Sequence, residues 1–129
     1  MAGLRAVPAT VLVDGECVHE GPLLLAAAAN GSCFGGGIPV APEARLDDGL
    51  LDLVIIRGCP RMRLLGKLHK LYRGVHADDP IVSIYRGRSI ELDAEPGTVP
   101  IEADGEPLGA LPARVDVVPG ALTLLAPPA

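Results

Sequence analysis

Aromatic side chains are nearly absent from this 129-residue chain: it has one Phe, two Tyr and no Trp. Any core must therefore be built from Leu, Val, Ile and Ala. Cysteine is also sparse. Cys17, Cys33 and Cys59 lie far apart with no CxxC pair, which excludes a disulfide framework and a zinc pattern and fits reduced thiols in a cytosolic protein. No long apolar run exists. "PLLLAAAA" at 22–29 is far too short to span a bilayer, and "MAGLRAVPAT" has no apolar segment of the signal-peptide kind. Basic residues are outnumbered, and the net charge of −5 argues against a general nucleic-acid binder.

What is present reads mainly as strands. The length suits one domain, 1–129, with loose termini expected at 1–9 and 126–129. "TVLVDGECVHEG" (10–21) places two apolar runs around Asp14-Gly15, a hairpin signal. "PLLLAAAAN" (22–30) and "LLDLVIIRG" (50–58) are continuous and apolar, as expected of strands buried on both faces; periodicity alone leaves a helix open for the first. Further runs are "PIVSIYRG" (80–87), "RSIELDAE" (88–95), "VPIEADGE" (99–106), "ARVDVV" (113–118) and "ALTLLA" (121–126). In "ARVDVV", Val115 and Val117 should face inward, with Arg114 and Asp116 outward. One helix is expected between Pro60 and Gly74, where Leu64, Leu65, Leu68, Leu71 and Tyr72 recur on one face. Turns come about every eight to twelve residues. The pattern predicts a mostly β fold: an antiparallel β-sandwich or barrel-like domain with one amphipathic helix packed on it.

Four constellations could carry chemistry. Asp47, Asp48 and Asp52 cluster around Gly49 in "PEARLDDGLLDL"; carboxylates with nearby carbonyls suit a hard cation, although spacing alone favours a polar turn before a strand. In "NGSCFGGGIP", Gly35, Gly36 and Gly37 would let backbone approach a ligand or a neighbouring strand closely, but neither GxxxxGK[ST] nor GxGxxG is present. "IEADGEPLGALP" carries Glu106 directly after the Asp104-Gly105 turn, where a carboxylate can serve as a general base or simply be solvated. Finally, Arg57, Arg61, Arg63, Lys67, Lys70 and Arg73 are six of the eleven basic residues, and no acid occurs from 53 to 77. Arg63, Lys67 and Lys70 share a face away from the leucines. That face is either solvated or suited to an anionic lipid surface. His19, His69 and His76 have no ligand spacing, and Cys33 fits a small packed side chain.

In chain order, "NGSCFGGGIPVAPEARLDDGLLDLVII", a basic helix ending "LYRGVH", and "IEADGEPLGALPARVDVVPGALTLL" resemble the C-terminal half of the diacylglycerol kinase/sphingosine kinase-like lipid kinases, the soluble bacterial members above all. The resemblance runs from about Thr10 to Leu125. It implies a β-sandwich domain that faces lipid and forms one wall of a cleft, while an N-terminal domain with a GGDGT-type motif binds ATP and the pair phosphorylates a lipid hydroxyl such as that of diacylglycerol. It implies a structural Mg2+ held by the Arg45 carbonyl, the Asp48 carboxylate and the Leu50 carbonyl. It makes Glu106 the proton acceptor, with Asp104 in the same motif, and places Asn30 and the glycine loop near the active site. Arg61, Arg63, Lys67, Lys70 and Arg73 become the candidate membrane patch. No GGDGT motif occurs in the 129 residues, so the expectation is that the chain alone has no kinase turnover and needs an N-terminal kinase domain in cis or in trans. The expected partners are a lipid substrate, an anionic membrane surface and that kinase domain, with no nucleic acid; homo-oligomerisation is compatible. The expected location is cytoplasmic, peripheral at the inner face of the membrane. Two other readings stand beside this one: a stand-alone lipid- or membrane-binding module, and a NAD kinase-like domain, from which the DGLLD and DGE pair points away.

Overall fold

The hairpin signal at Asp14-Gly15 starts the fold. In a computed structural model, which describes residues 6–31, 41, 43–45, 47–58 and 81–123, Asp14 and Gly15 both take positive φ, 50° and 85°. Two such residues form the turn whose twist matches that of paired strands. They join β1 (Val7–Val13) to β2 (Glu16–Ala29). β1 begins at Val7, so residues 7–9 belong to the sheet and not to a loose terminus. Then come β3 (Leu51–Arg57), β4 (Val82–Gly87), β5 (Ser89–Ala94), β6 (Pro100–Ala103), β7 (Glu106–Ala110) and β8 (Ala113–Asp116). Six strands form one sheet in the order β4-β3-β2-β1-β5-β8, and β6 pairs with β7 in a separate ribbon. Every pairing is antiparallel. The mostly β, antiparallel fold read from the sequence is observed. The helix expected over 60–74 lies outside the described residues.

Connectivity shows that the sheet curls. Only Arg88 separates β4, at one edge, from β5, the fifth strand. In a flat sheet four strand spacings of about 4.8 Å would hold them roughly 19 Å apart. Two Cα steps reach at most about 7.6 Å. The sheet must bend until the end of β4 meets the β1–β2 turn, and it does. Asp14 Oδ1 accepts the Arg88 and Ser89 amides at 2.9 and 3.0 Å, and the Asp14 amide donates to the Ser89 carbonyl at 2.8 Å. Gly87 permits this approach: a Cβ there would run into Val13 Cγ1 and lie 2.9 Å from Asp14 Oδ2. The Tyr85 hydroxyl on β4 reaches the Val18 carbonyl on β2 at 3.3 Å, two strands away.

Inside the curl lie Ala9, Val11, Val13, Leu23, Leu51, Leu53, Ile55 and Ile90, with Tyr85 half-buried beside them. The main core is aliphatic, as the shortage of aromatics requires. Val115 and Val117 pack against it while Arg114 and Asp116 stay exposed, as alternation predicts. β3 is buried on both faces. Its second face carries Val54, covered by Ala41 and flanked by Ala27, Ala29, Ala44, Val82 and Ile84. The 22–30 run differs from expectation. It is the second half of the 14-residue β2, and it is not doubly buried: Leu23 is buried, but Leu25 is 38% exposed and Ala28 is exposed. Short alanines keep the run apolar without requiring burial. Residues 121–123 are not strand, and the rest of "ALTLLA" lies outside the described residues. Among the described residues no helix is long and apolar enough to cross a membrane.

Candidate functional site

Just before β3 the chain makes a tight polar turn. Gly49 has φ of +68°, a conformation costly for a side-chain-bearing residue. Asp48 Oδ1 accepts the Leu50 amide at 3.0 Å, the local closure by which Asp imitates a backbone turn. Arg45 binds Asp47 with two parallel hydrogen bonds, Nε to Oδ1 at 3.0 Å and Nη2 to Oδ2 at 3.2 Å. The pair is solvent-exposed. Within it the guanidinium holds the Asp47 carboxyl below its ordinary value, and the carboxylate raises Arg45. Asp47 is thus engaged by Arg45, while Asp48 keeps its second oxygen free among the described residues. Arg45, Asp48 and Leu50 lie within six residues along the chain, with Asp48 bonded to the Leu50 amide.

Asp52 does not join them. The sequence grouped it with Asp47 and Asp48, but it is 1% exposed inside β3. Its register partner on β4 is Arg86, whose Nε donates to Asp52 Oδ2 at 3.3 Å. Arg86 Nη2 reaches back to the Glu43 carbonyl at 3.1 Å and to Glu43 Oε2 at 3.4 Å. One guanidinium therefore ties both flanks of the Asp48 turn. Asp52 Oδ1 is buried with no hydrogen-bond partner among the described residues. No group of three or more acidic, His or Cys side chains is placed to hold a metal among the described residues, so any cation at the turn would rely on backbone oxygens. Sequence reading missed Arg86 and Glu43. A signal existed: an acid inside "LLDLVII" must be buried and needs a cationic partner.

The second candidate element is the β6–β7 ribbon. Asp104 and Gly105 have φ of 50° and 80°, and Ala103 pairs with Glu106 across the turn. The predicted hairpin is present. Asp104 and Glu106 are both exposed, and neither side chain has a hydrogen bond or ion pair with another described residue. Nor does any such bond join this hairpin to the Asp48 turn. Asn30 is exposed at the end of β2. Gly35, Gly36 and Gly37, and the basic residues Arg61, Arg63, Lys67, Lys70 and Arg73, lie outside the described residues.

Comparison with known proteins adds a lineage. Residues 1–126 match the family model described as the YegS C-terminal NAD kinase beta sandwich-like domain. The chain is 32% identical over 127 residues to a diacylglycerol kinase of Mycobacterium tuberculosis, covering 98% of this chain and 40% of that protein. It is 36% identical over 114 residues to a protein of Chromohalobacter salexigens named "Probable lipid kinase YegS-like", covering 88% of this chain and 36% of that one. A crystal structure of a diacylglycerol kinase from Bacillus anthracis superimposes with a TM-score of 0.73 at 21% identity, covering 90% of this chain and 39% of that one; at that identity the likeness speaks for the fold. The chain thus spans about 40% of the length of the curated relatives it matches first.

Proposed function

This chain belongs to the YegS C-terminal NAD kinase beta sandwich-like domain family, and on that premise we propose that it is the lipid-facing half of an ATP-dependent lipid kinase acting on a diacylglycerol-like hydroxyl. The observation that carries the reading is the exposed Asp104-Gly105-Glu106 hairpin, whose Glu106 carboxylate no described residue engages, in a chain whose relatives are named diacylglycerol and lipid kinases. Glu106 takes the proton of the lipid hydroxyl. That oxygen attacks the γ-phosphorus, a new O–P bond forms, and the bond to the leaving ADP oxygen breaks. Phosphoryl transfer asks mainly for positioning and charge neutralisation, and a free carboxylate at a hairpin turn can approach a bound hydroxyl closely enough to orient it. Asp104 shapes the turn that presents Glu106.

The Asp48 turn fits a hard cation. Its donors are all oxygens: the Asp48 carboxylate and the Arg45 and Leu50 carbonyls, a set suited to Mg2+ with waters completing its shell. Bound there, Mg2+ would supply rigidity to the segment leading into β3 and no step of the reaction. ATP is held by a GGDGT-bearing N-terminal kinase domain, in cis or in trans, and the 129 residues by themselves turn over no ATP. The basic residues between 57 and 73 draw the domain to an anionic membrane surface on the cytoplasmic side.

The test joins the chain to the N-terminal segment of its Mycobacterium tuberculosis relative and supplies ATP with diacylglycerol in mixed micelles. Phosphatidate formed by the joined protein but not by the 129 residues alone is the expected result. Phosphatidate formed by the 129 residues alone would contradict the division of labour, and a well-folded joined protein that forms none would contradict the lipid kinase reading.

A further inference from the structure

The Arg86 clamp is more than a β3–β4 ion pair. Strand pairing already fixes Asp52 opposite Arg86, so register does not need it. As a source of stability this half-buried ion pair is a poor choice: Asp52 is 1% exposed and loses its hydration, while the Arg86 side chain is 45% exposed, where solvent weakens the attraction. Among the described residues this pair is also incompletely satisfied, because Asp52 Oδ1 is buried without a donor, which costs stability. What the arrangement does achieve is geometric. Glu43 lies two residues before Arg45, and Asp52 two residues after Leu50. A single planar guanidinium bonds the Glu43 carbonyl at 3.1 Å and the Asp52 carboxylate at 3.3 Å. The two ends of the 45–50 turn are thereby held one guanidinium apart, and the segment with Ala41 and Ala44 is laid over Val54.

We propose that Arg86 is a positioning residue for the cation turn: by bonding Glu43 and Asp52 together it holds the Arg45 carbonyl, Asp48 and the Leu50 carbonyl in the arrangement that binds Mg2+. The inference rests on the reading of that turn as the cation site. It makes a counter-intuitive statement about sign. Arg86 is positively charged, so its Coulomb effect opposes a neighbouring cation. If charge alone mattered, removing it would tighten binding. If it positions the ligands, removing it weakens binding. Lysine separates the two cleanly, since it keeps the charge and can still meet Asp52 but lacks the planar fork that bonds two acceptors at once.

The experiment titrates the full chain with Mg2+ by calorimetry and with Mn2+ as a paramagnetic probe, alongside thermal melts. Arg86→Lys is expected to weaken the cation about 10-fold, the usual cost of losing a residue that orients metal ligands. Arg86→Gln should weaken it as well, despite the lower positive charge. Asp48→Asn should abolish binding. Val11→Ala, which opens the main core away from the turn, should lower Tm and leave the affinity unchanged. Wild-type affinity in Arg86→Lys, or tighter binding in Arg86→Gln, would overturn the clamp and leave the cation site standing. Affinity that falls in step with Tm in every variant, Val11→Ala included, would reduce Arg86 to a structural role and overturn the proposal. No saturable binding by the wild-type chain would overturn the cation site and the clamp's role with it.

Discussion

The chain contains the tripeptide Asp-Gly-Glu twice, at 14–16 and at 104–106, and the two copies can be compared directly. Their turns are nearly the same: φ of 50° and 85° at the first, 50° and 80° at the second. Both glutamates begin a strand and both are exposed. The surroundings differ. The first turn lies where the sheet curls back on itself, and Asp14 spends its carboxylate on the Arg88 and Ser89 amides. The strands it joins, β1 and β2, contribute Ala9, Val11, Val13 and Leu23 to the core. The second turn ends a two-stranded ribbon whose β7 is exposed over four of its five residues, and Asp104 has no partner among the described residues. Local sequence therefore specifies the turn, while tertiary context decides whether its aspartate is tied into the structure, as Asp14 is; the glutamates, both exposed, are alike in this respect.

The largest stability contrast should come from paired truncations of the two regions. Leu53, fully buried in the sheet, should lose about 2–5 kcal/mol on replacement by Ala, the range for a buried leucine. Leu108→Ala in the ribbon, where the side chain is 67% exposed, should stay within about 0.5 kcal/mol. Denaturant melts of both variants check this, and equal losses would erase the distinction between core and ribbon. Next in size is Gly87→Ala. The added methyl meets Val13 and Asp14, and overpacking of this kind costs about 1–3 kcal/mol.

A subtler pair sharpens the comparison of the turns themselves. Asp14→Ala and Asp104→Ala carry the same positive-φ penalty, so their difference isolates what the carboxylate bonds to. Asp14→Ala should be the worse by about 1 kcal/mol, the net value of the hydrogen bonds lost. The smallest effect concerns acid. Asp116, on β8, is held below its ordinary value of 3.8 first by Ser89 and then by Arg114. A lowered folded-state value means that its contribution is present above the ordinary carboxylate range and is lost as pH falls through it. Melts between about pH 5 and pH 2 should therefore decline slightly less steeply for Asp116→Asn than for the wild-type chain. The group is exposed, so solvent keeps the difference small.

Much of the sheet was legible in the sequence. Alternation in "ARVDVV", β-branched density in "LLDLVII" and the two Asp-Gly turns each carry a local signature, and each yields the expected element. A barrel-like sheet was expected, but the strand order that makes it curl was not legible, because strand periodicity tells which side a residue faces and not which strand lies beside it. The one-residue link at Arg88 looks like an ordinary gap between two strands until their places in the sheet are known. The doubly buried 22–30 strand failed for a related reason: a run of alanines is apolar at little cost whether covered or not. At the candidate site, the Asp48 turn and Glu106 stood out through their order along the chain and not through any local pattern, since the same tripeptide also occurs at 14–16. Arg86 escaped notice because its two partners lie 34 and 43 residues away in sequence.

The central claim is that Glu106 acts as the base and that Glu16, in the same tripeptide, does not. The direct measurement is kcat for phosphatidate formation by the joined protein carrying Glu106→Gln or Glu16→Gln, with Tm measured on the same samples. The account predicts a fall of about 10²- to 10⁴-fold for Glu106→Gln, the usual contribution of a general base, unchanged kcat for Glu16→Gln, and unaltered Tm for both. A Glu106→Gln protein that keeps wild-type kcat, or a Glu16→Gln protein that loses as much, would contradict it.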